Sequence, residues 1–341
     1  MHVDPKGPAL PLDTLIVRSA GSDHLLLLTQ ANIPARADRA YQLSFIDAAG
    51  RGKGNGLFVD PYSGRALGRL SDQRRPLQWA RDLHTGKTFG PASKAVDAWS
   101  ALGLALLSLS GLILWWRTKT FALRAGATGR RLLFDVHNAI GGYLWIVLFV
   151  FGATGAMMHW GALTLTAASA LTGSDAPPPA PKTSSGCKSG TQSLSPGTLL
   201  TAALARAPGA QPTQLQLQGA SAPARVQFKY PEDHTSGGRT NVYVDRCSGE
   251  VAYAMLTRSA PAGYNIARMW TREIHTGDVF GLASRVIAVV GSLALPVMAI
   301  TGPWLWLARR ARRARYRPLR PTDPERLEDD EAEEPAVAAK V

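Results

Sequence analysis

The sequence predicts an α-helical membrane bundle that carries α+β polar domains. Three observations lead to this fold class: three long apolar runs, basic blocks that directly follow two of them, and one stretch that the chain contains twice. We expect transmembrane helices at residues 96–116, 134–160 and 286–307. Each run is long enough to cross a bilayer and is nearly free of charge.

The repeated stretch reads WARDLHTGKTFG at residues 79–90 and WTREIHTGDVFG at residues 270–281. The pairing continues without a gap to a hydroxyl–glycine pair late in each following apolar run, Ser110-Gly111 and Thr301-Gly302. A gapless repeat with identical residues at its unusual positions indicates a unit that recurs in space.

We therefore predict two juxtamembrane segments, residues 79–95 and 270–285. Each segment sets one histidine, His84 or His275, at the mouth of the helix that follows it.

The polar segments have strand and turn patterns typical of small α+β domains. Residues 1–78 alternate like short strands between turns, and residues 161–269 open with a Pro/Ser/Gly linker before a helix and three strands. The turn VDPYSG at 59–64 resembles VDRCSG at 244–249, so the repeat includes a strand–turn–strand element.

The basic residues suggest which side of the membrane each segment occupies. The net charge is +13, and much of it falls in residues 117–133 and at the start of residues 308–341, whose end turns acidic. Short basic loops are typically cytoplasmic, so we expect both polar domains on the opposite, periplasmic side. A nucleic-acid-binding face would need basic residues interleaved with exposed aromatics, and that pattern is absent from the sequence.

This topology needs a hydrophobic signal ahead of residues 1–78, because long polar domains do not cross a membrane unaided. We therefore expect a fourth, N-terminal transmembrane helix that this sequence lacks. The two cysteines, Cys187 and Cys247, both lie in the second polar domain. Outside the cytoplasm they could form a disulfide, and two free thiols are the alternative.

Four of the seven histidines lie at predicted membrane boundaries: His84, His137, His159 and His275. His137 and His159 are 22 residues apart on one predicted helix, which brings them to nearly the same face about 33 Å apart along the axis. Gly141, Gly152 and Gly155 lie on or near that face, where a planar macrocycle or a second helix could approach closely.

Imidazoles can ligate zinc, copper, non-haem iron or haem iron. Zinc or copper would favour further Cys or carboxylate ligands, and the acids nearby are Asp82 and Glu273, each two residues before a histidine. Histidines at matched depth on different helices, with small residues around them, fit bis-imidazole haem b. A covalent c-type haem is excluded because the sequence has no Cys-x-x-Cys-His.

These motifs resemble the PepSY-associated transmembrane family, which includes iron-regulated inner-membrane proteins and ferric-siderophore reductases. The resemblance rests on the Val-Asp-x-x-Ser-Gly turns, the two His-Thr-Gly-x-x-Phe-Gly segments, and the hydroxyl–glycine pairs Ser110-Gly111, Thr154-Gly155 and Thr301-Gly302. It implies four helices, periplasmic PepSY-like domains, and haem held by helix histidines. Its outer-side motif matches His84 and His275, its inner-side histidine matches His137, and His159 is a further outer-side candidate.

The resemblance also implies a function. It predicts an inner-membrane haem b protein that receives electrons from a quinol or a cytoplasmic donor and passes them to a periplasmic acceptor such as a ferric siderophore. In this chain we expect an outer-side haem, with axial ligands among His84, His159 and His275, and an inner-side haem at His137 lacks its natural partner.

Two other functions remain open from the sequence. One is a non-enzymatic membrane module whose PepSY-like domains bind a periplasmic partner or peptide. The other is an accessory subunit in metal uptake, which the shortage of charged residues inside the apolar runs disfavours.

Overall fold

The structure is a computed structural model that describes residues 1–20, 27–46, 52–69, 75–119, 121–184, 192–219 and 221–315. Three of its helices are long and apolar enough to cross a membrane: α3 (Pro91–Thr118), α4 (Gly129–His159) and α9 (Leu282–Arg315). Their apolar spans contain the three predicted runs except for Trp160, which follows the end of α4. The helices extend beyond those runs, most clearly in α9, which begins at Leu282 and ends at Arg315.

The polar segments form one antiparallel sheet of eight strands in the order β4-β3-β2-β1-β5-β6-β7-β8. The strands are β1 (Leu27–Asn32), β2 (Tyr41–Ile46), β3 (Gly52–Val59), β4 (Ala66–Arg69), β5 (Gln211–Leu217), β6 (Ala224–Lys229), β7 (Thr240–Val244) and β8 (Val251–Met255). The central pair joins the two polar segments, because β1 and β5 pair antiparallel with Ala31 opposite Leu215. The two predicted α+β units therefore share a single sheet.

Two short helices, α1 (Leu12–Ala20) and α6 (Pro196–Arg206), pack with the sheet to form the core. Leu15 of α1 and Leu199 of α6 are fully buried beside strand residues such as Leu43 and Val226. Asp13 joins the helices, because its carboxylate accepts hydrogen bonds from the Gly197 amide (2.8 Å) and the Ser195 hydroxyl (2.6 Å). This carboxylate lies at the first turn of α6, where the helix leaves amide donors free.

The repeated Val-Asp-x-x-Ser-Gly turns have matching geometry. Asp60 accepts a hydrogen bond from the Tyr62 amide through its side chain, and Asp245 accepts one from the Cys247 amide, each at 2.9 Å. Both turns close with a glycine of positive φ, at Gly64 and Gly249. The prediction that the repeat includes a strand–turn–strand element agrees with this geometry.

Several helices connect the sheet to the membrane spans. They are α2 (Arg75–His84), α5 (Gly161–Thr172), α7 (Ala262–Tyr264) and α8 (Thr271–Thr276), with a π-helical turn at Asn265–Trp270 between the last two. Helix α5, which was not predicted from the sequence, directly follows α4 and packs against α7. Gly263 makes this possible, because a Cβ there would lie 2.6 Å from the backbone of Ser169.

The chain divides into two compact units. The first unit contains residues 1–109 and 146–290, and therefore the sheet, the connecting helices and part of each long helix. In it, Gly152 of α4 packs against α3, since a Cβ would lie 2.5 Å from the Ala105 amide nitrogen and 2.8 Å from the Ala101 carbonyl. Gly152 therefore serves close helix packing.

The second unit contains residues 110–145 and 291–341, of which residues 316–341 and the predicted acidic tail lie outside the described part. In this unit, Gly142 packs under the Trp115 ring and Gly141 faces Met298. Asp135 is almost fully buried and forms an ion pair with Arg131 at 3.3 Å.

Candidate functional site

The two His-Thr-Gly segments fold in the same way. Gly86 and Gly277 both have positive φ, and their carbonyls accept hydrogen bonds from the hydroxyls of Ser93 (2.7 Å) and Ser284 (2.6 Å). Glycine is required at both places, since a Cβ would lie 2.7 Å from backbone atoms of the following helix. Each turn thus holds the histidine that precedes it close to the start of a membrane span.

These turns belong to the first unit, which brings the two histidines together. The ring centroids of His84 and His275 lie 5.9 Å apart, with their planes inclined by 23°. His84 is exposed, whereas His275 is mostly buried. The repeat predicts this pair, and among the described residues it is the one place where two histidine rings contact each other.

The buried histidine of the pair is neutral at physiological pH. Burial, with smaller contributions from nearby His84 and Arg272, lowers the pKa of His275 to about 4. A neutral imidazole is the form that ligates a metal ion, because its lone pair is free.

Thr154 on α4 determines which nitrogen of His275 carries the proton. The Thr154 hydroxyl donates to the carbonyl of Val150 at 2.5 Å, so it acts as an acceptor toward His275 Nδ1, which lies 2.8 Å away. His275 therefore donates from Nδ1 and keeps the lone pair on Nε2. The ring packs beside the next residue, Gly155, where a Cβ would lie 3.6 Å from His275 Cε1, in ordinary van der Waals contact.

The second unit contains the same arrangement around His137. The Thr301 hydroxyl donates to the carbonyl of Val297 at 2.7 Å and lies 2.7 Å from His137 Nδ1. A Cβ on Gly302 would lie 3.4 Å from His137 Cε1. Both threonine–glycine pairs thus hold one histidine each, and both leave Nε2 as the free nitrogen. Within the described residues, no second histidine ring contacts His137.

His159, the other predicted outer-side ligand, is engaged elsewhere. Its Nε2 lies 2.8 Å from the Asp97 carboxylate, in a pair whose side chains are each 25% exposed. The structure therefore brings His84 and His275 together and gives His159 a carboxylate partner on α3.

The predicted disulfide stays a prediction. Cys187 and part of the predicted linker lie outside the described residues, so a bond from Cys187 to Cys247 is not tested. Clusters of three or more His, Cys, Asp or Glu side chains that could bind a metal ion are likewise absent from the described part of the chain. A metal at the His84 and His275 pair would thus have these two protein ligands there.

The hydroxyl–glycine pairs are evident in the sequence, but their contacts with histidines were not predicted from it. Thr154 meets a histidine 121 residues away, and Thr301 meets one 164 residues away. The sequence signal was the recurrence of the pair late in each apolar run, next to a histidine-bearing repeat.

A family model described as PepSY-associated TM region matches residues 1–309 of the chain. The chain belongs to this family. The match covers the sheet, both His-Thr-Gly segments and most of the three membrane helices. The PepSY-associated chain is therefore a membrane protein with three candidate spans and an antiparallel sheet, as the motifs predicted. No curated protein matches it at a significant level.

Proposed function

We propose that this PepSY-associated membrane protein is a haem b electron-transfer protein in which His84 and His275 are the axial ligands. The observation that carries the proposal is the pairing of these two rings, 5.9 Å apart, at equivalent positions of an internal repeat. The two rings are therefore close to each other, and each carries an imidazole that can ligate haem iron.

The protonation of His275 supports the same role. Its Nδ1 is hydrogen-bonded to Thr154, which leaves Nε2 as the ligating nitrogen and orients the ring. Its depressed pKa keeps the imidazole neutral down to acidic pH, so a proton does not compete for the lone pair. Exposed His84 gives a planar cofactor access from the side, whereas buried His275 shields it from water.

Haem held by two histidines supplies one-electron transfer, and the protein adjusts its potential through the ligands, their hydrogen bonds and burial. In this chain the hydrogen bond from His275 to Thr154 raises the basicity of the ligand. His137, held by Thr301, is the candidate ligand for a second haem in the other unit.

The direction of electron flow follows from orientation. Arg309, Arg310 and Arg312 at the end of α9 favour a cytoplasmic C-terminus, so the sheet and the His84 and His275 pair would be periplasmic. In an inner membrane, electrons would enter from a quinol or a cytoplasmic donor and leave to a periplasmic acceptor such as a ferric siderophore. The protein would then be an oxidoreductase that reduces iron.

The test is an absorption spectrum of the dithionite-reduced protein, purified in detergent after expression with added haem. We expect a haem b spectrum with low-spin α and β bands, and we expect His275→Ala or His84→Ala to abolish the low-spin signal of the outer site. His2→Ala is the matched control, because His2 is an exposed histidine that pairs with Asp38.

A colourless protein, or one whose spectrum is the same in all four forms, would contradict the proposal. Such a result would favour the alternative function, a non-enzymatic module whose sheet domain binds a periplasmic partner or peptide. It would leave the family membership and the membrane location intact.

A further inference from the structure

Helix α5 is a short apolar helix with an open face. Its twelve residues, Gly161–Thr172, include no charged side chain. At 1.5 Å per residue the helix is about 18 Å long, which is too short to cross the hydrocarbon core of a bilayer, about 30 Å thick. An apolar helix of this length in a membrane protein is normally either buried in the core or placed at the membrane interface.

Helix α5 is not a core helix, because it is buried on one face only. The buried residues are small: Gly161, Ala168 and Ser169. That face packs against α7, where Gly263 comes close to Ser169. On the opposite face Leu163 and Leu171 are 70% and 88% exposed, with Ala167 exposed between them. A helix whose outer face meets water normally carries charged side chains there, and the exposed face of α5 carries none.

The threonine hydroxyls of α5 do not need water as a partner. Thr166 and Thr172 each donate to the carbonyl one turn earlier in the helix, at 3.2 and 2.7 Å. Thr164 donates at 2.8 Å to the carbonyl of Met157, one of the last residues of α4. The ends of helices leave such carbonyls without an amide donor. Internal hydrogen bonds of this kind lower the cost of placing a hydroxyl in an apolar environment.

The position of α5 in the chain places it at the end of a membrane span. Helix α4 ends at His159 and α5 begins at Gly161, so Trp160 alone separates them. The backbone of Trp160 has a ψ of 44°, which is outside helical geometry and lets the chain change direction. The Trp160 ring contacts that of Trp99 on α3, with centroids 5.4 Å apart. Tryptophans are enriched at the membrane–water interface, which indicates that the break lies at that depth.

Exposed aromatic side chains lie next to the other two spans as well. Phe89 and Phe280 are equivalent residues of the repeat, and each lies two residues before a membrane helix, α3 or α9. Both side chains are largely exposed although they are apolar. Each candidate span therefore has a large, exposed apolar side chain just beyond the end that connects to the sheet.

We propose that α5 is an interfacial helix whose exposed face, with Leu163 and Leu171, lies in the lipid bilayer at the membrane surface on the sheet side. A bilayer is the occupant that the structure favours, because this face continues directly from a helix long and apolar enough to span the membrane. The inference does not depend on the haem proposal.

This lipid contact has a consequence for the paired histidines. Helix α5 packs against α7, and the chain runs from α7 through the π-helical turn into α8, which carries His275. The contact of α5 with lipid thus positions the segment that carries His275 at the membrane surface.

The test replaces Leu163 or Leu171, one at a time, with the photo-crosslinking amino acid p-benzoylphenylalanine. The full-length protein is reconstituted in vesicles of phosphatidylethanolamine and phosphatidylglycerol and irradiated, and intact mass spectrometry identifies the covalent products. Val17 is the matched control, because it is also 70% exposed but lies on α1, which packs on the sheet. Leu107 of the α3 span is the control for lipid contact.

We expect lipid adducts at both α5 sites, in a yield similar to that at Leu107 and about tenfold above that at Val17, because acyl chains surround a side chain in the interface. Both replaced side chains are exposed, so the packing of α5 on α7 is retained. Elution of each variant like the wild type in size-exclusion chromatography checks the fold. If one variant misfolds, the other site decides.

Three other products contradict the inference. A yield of lipid adducts no higher than at Val17 shows that α5 faces water. A crosslink to a second copy of the chain shows that oligomerisation covers this face, and a crosslink within the chain shows that another segment covers it. Haem content plays no part in these readouts, so the haem proposal can fail while α5 lies in the bilayer.

Discussion

Removing the Thr154 hydroxyl tests whether the threonine–glycine pair positions a histidine. Thr154→Val keeps the shape of the side chain but deletes the acceptor for His275 Nδ1. The carbonyl of Val150, which the hydroxyl also contacts, lies within α4 and keeps its helix hydrogen bond. The variant therefore leaves one defect: the buried His275 N–H loses its hydrogen bond to the Thr154 hydroxyl and keeps only its backbone contact with Phe151.

The size of the effect follows from that defect. A typical intramolecular hydrogen bond contributes about 0.5–1.5 kcal/mol to stability, which we expect as the loss in free energy of unfolding of the haem-free protein. Loss of the hydrogen-bond partner of a metal-ligating histidine typically weakens metal affinity by about 10- to 100-fold. We expect a loss of haem affinity in that range.

The assays are a denaturant unfolding curve of the haem-free protein and a haem titration followed by absorbance. Thr154→Ser is the matched control, since it retains the hydroxyl, and the chain itself has a serine, Ser110, in the corresponding pair of α3. Thr164→Val is a second control, because Thr164 also bonds backbone carbonyls but contacts no histidine. If Thr154→Val unfolds and binds haem as Thr154→Ser does, the assigned role of the hydroxyl is wrong.

Three further predictions concern pH, helix packing and the sheet domain. The pKa of His275 is about 4 in the folded protein and near 6.5 in the unfolded chain, so the unfolded chain binds more protons between these pH values. Acidification from pH 6.5 to 4 therefore lowers the free energy of unfolding of the haem-free protein by about 3 kcal/mol. In paired pH titrations, His275→Gln removes this dependence. Gly152→Leu overpacks α4 against Ala105 and destabilises the protein by about 1–3 kcal/mol in denaturant unfolding, whereas Gly103→Leu, with open space around it, has little effect. Asp13→Ala removes the carboxylate that accepts a hydrogen bond from the start of α6, and it lowers the melting temperature by an amount equivalent to about 1 kcal/mol. An unchanged melting temperature would show that this contact adds no stability.

Local patterns made much of the fold predictable. The apolar runs identify membrane helices because any spanning segment must satisfy its backbone internally over the same length. The two turns around Gly86 and Gly277 also follow from local chemistry, since each needs glycine at a positive φ and a serine hydroxyl seven residues later. These features recur in the sequence because they depend on neighbouring residues.

Contacts between distant parts of the chain were harder to predict from the sequence. The sequence predicts two polar domains, and nothing in their strand patterns indicates that β1 and β5 join them into one sheet. Helix α5 was missed because its sequence, rich in alanine and threonine, directly follows a membrane span and resembles a linker start.

The paired histidines show how far the sequence alone reaches. The repeat by itself determined that His84 and His275 occupy equivalent positions before equivalent helices, because identical local sequences fold alike. Only the tertiary structure decided that their rings lie 5.9 Å apart, that Thr154 holds one of them, and that His159 pairs with Asp97. These contacts join residues between 62 and 191 positions apart, and their geometry depends on how the helices pack, which no local pattern encodes.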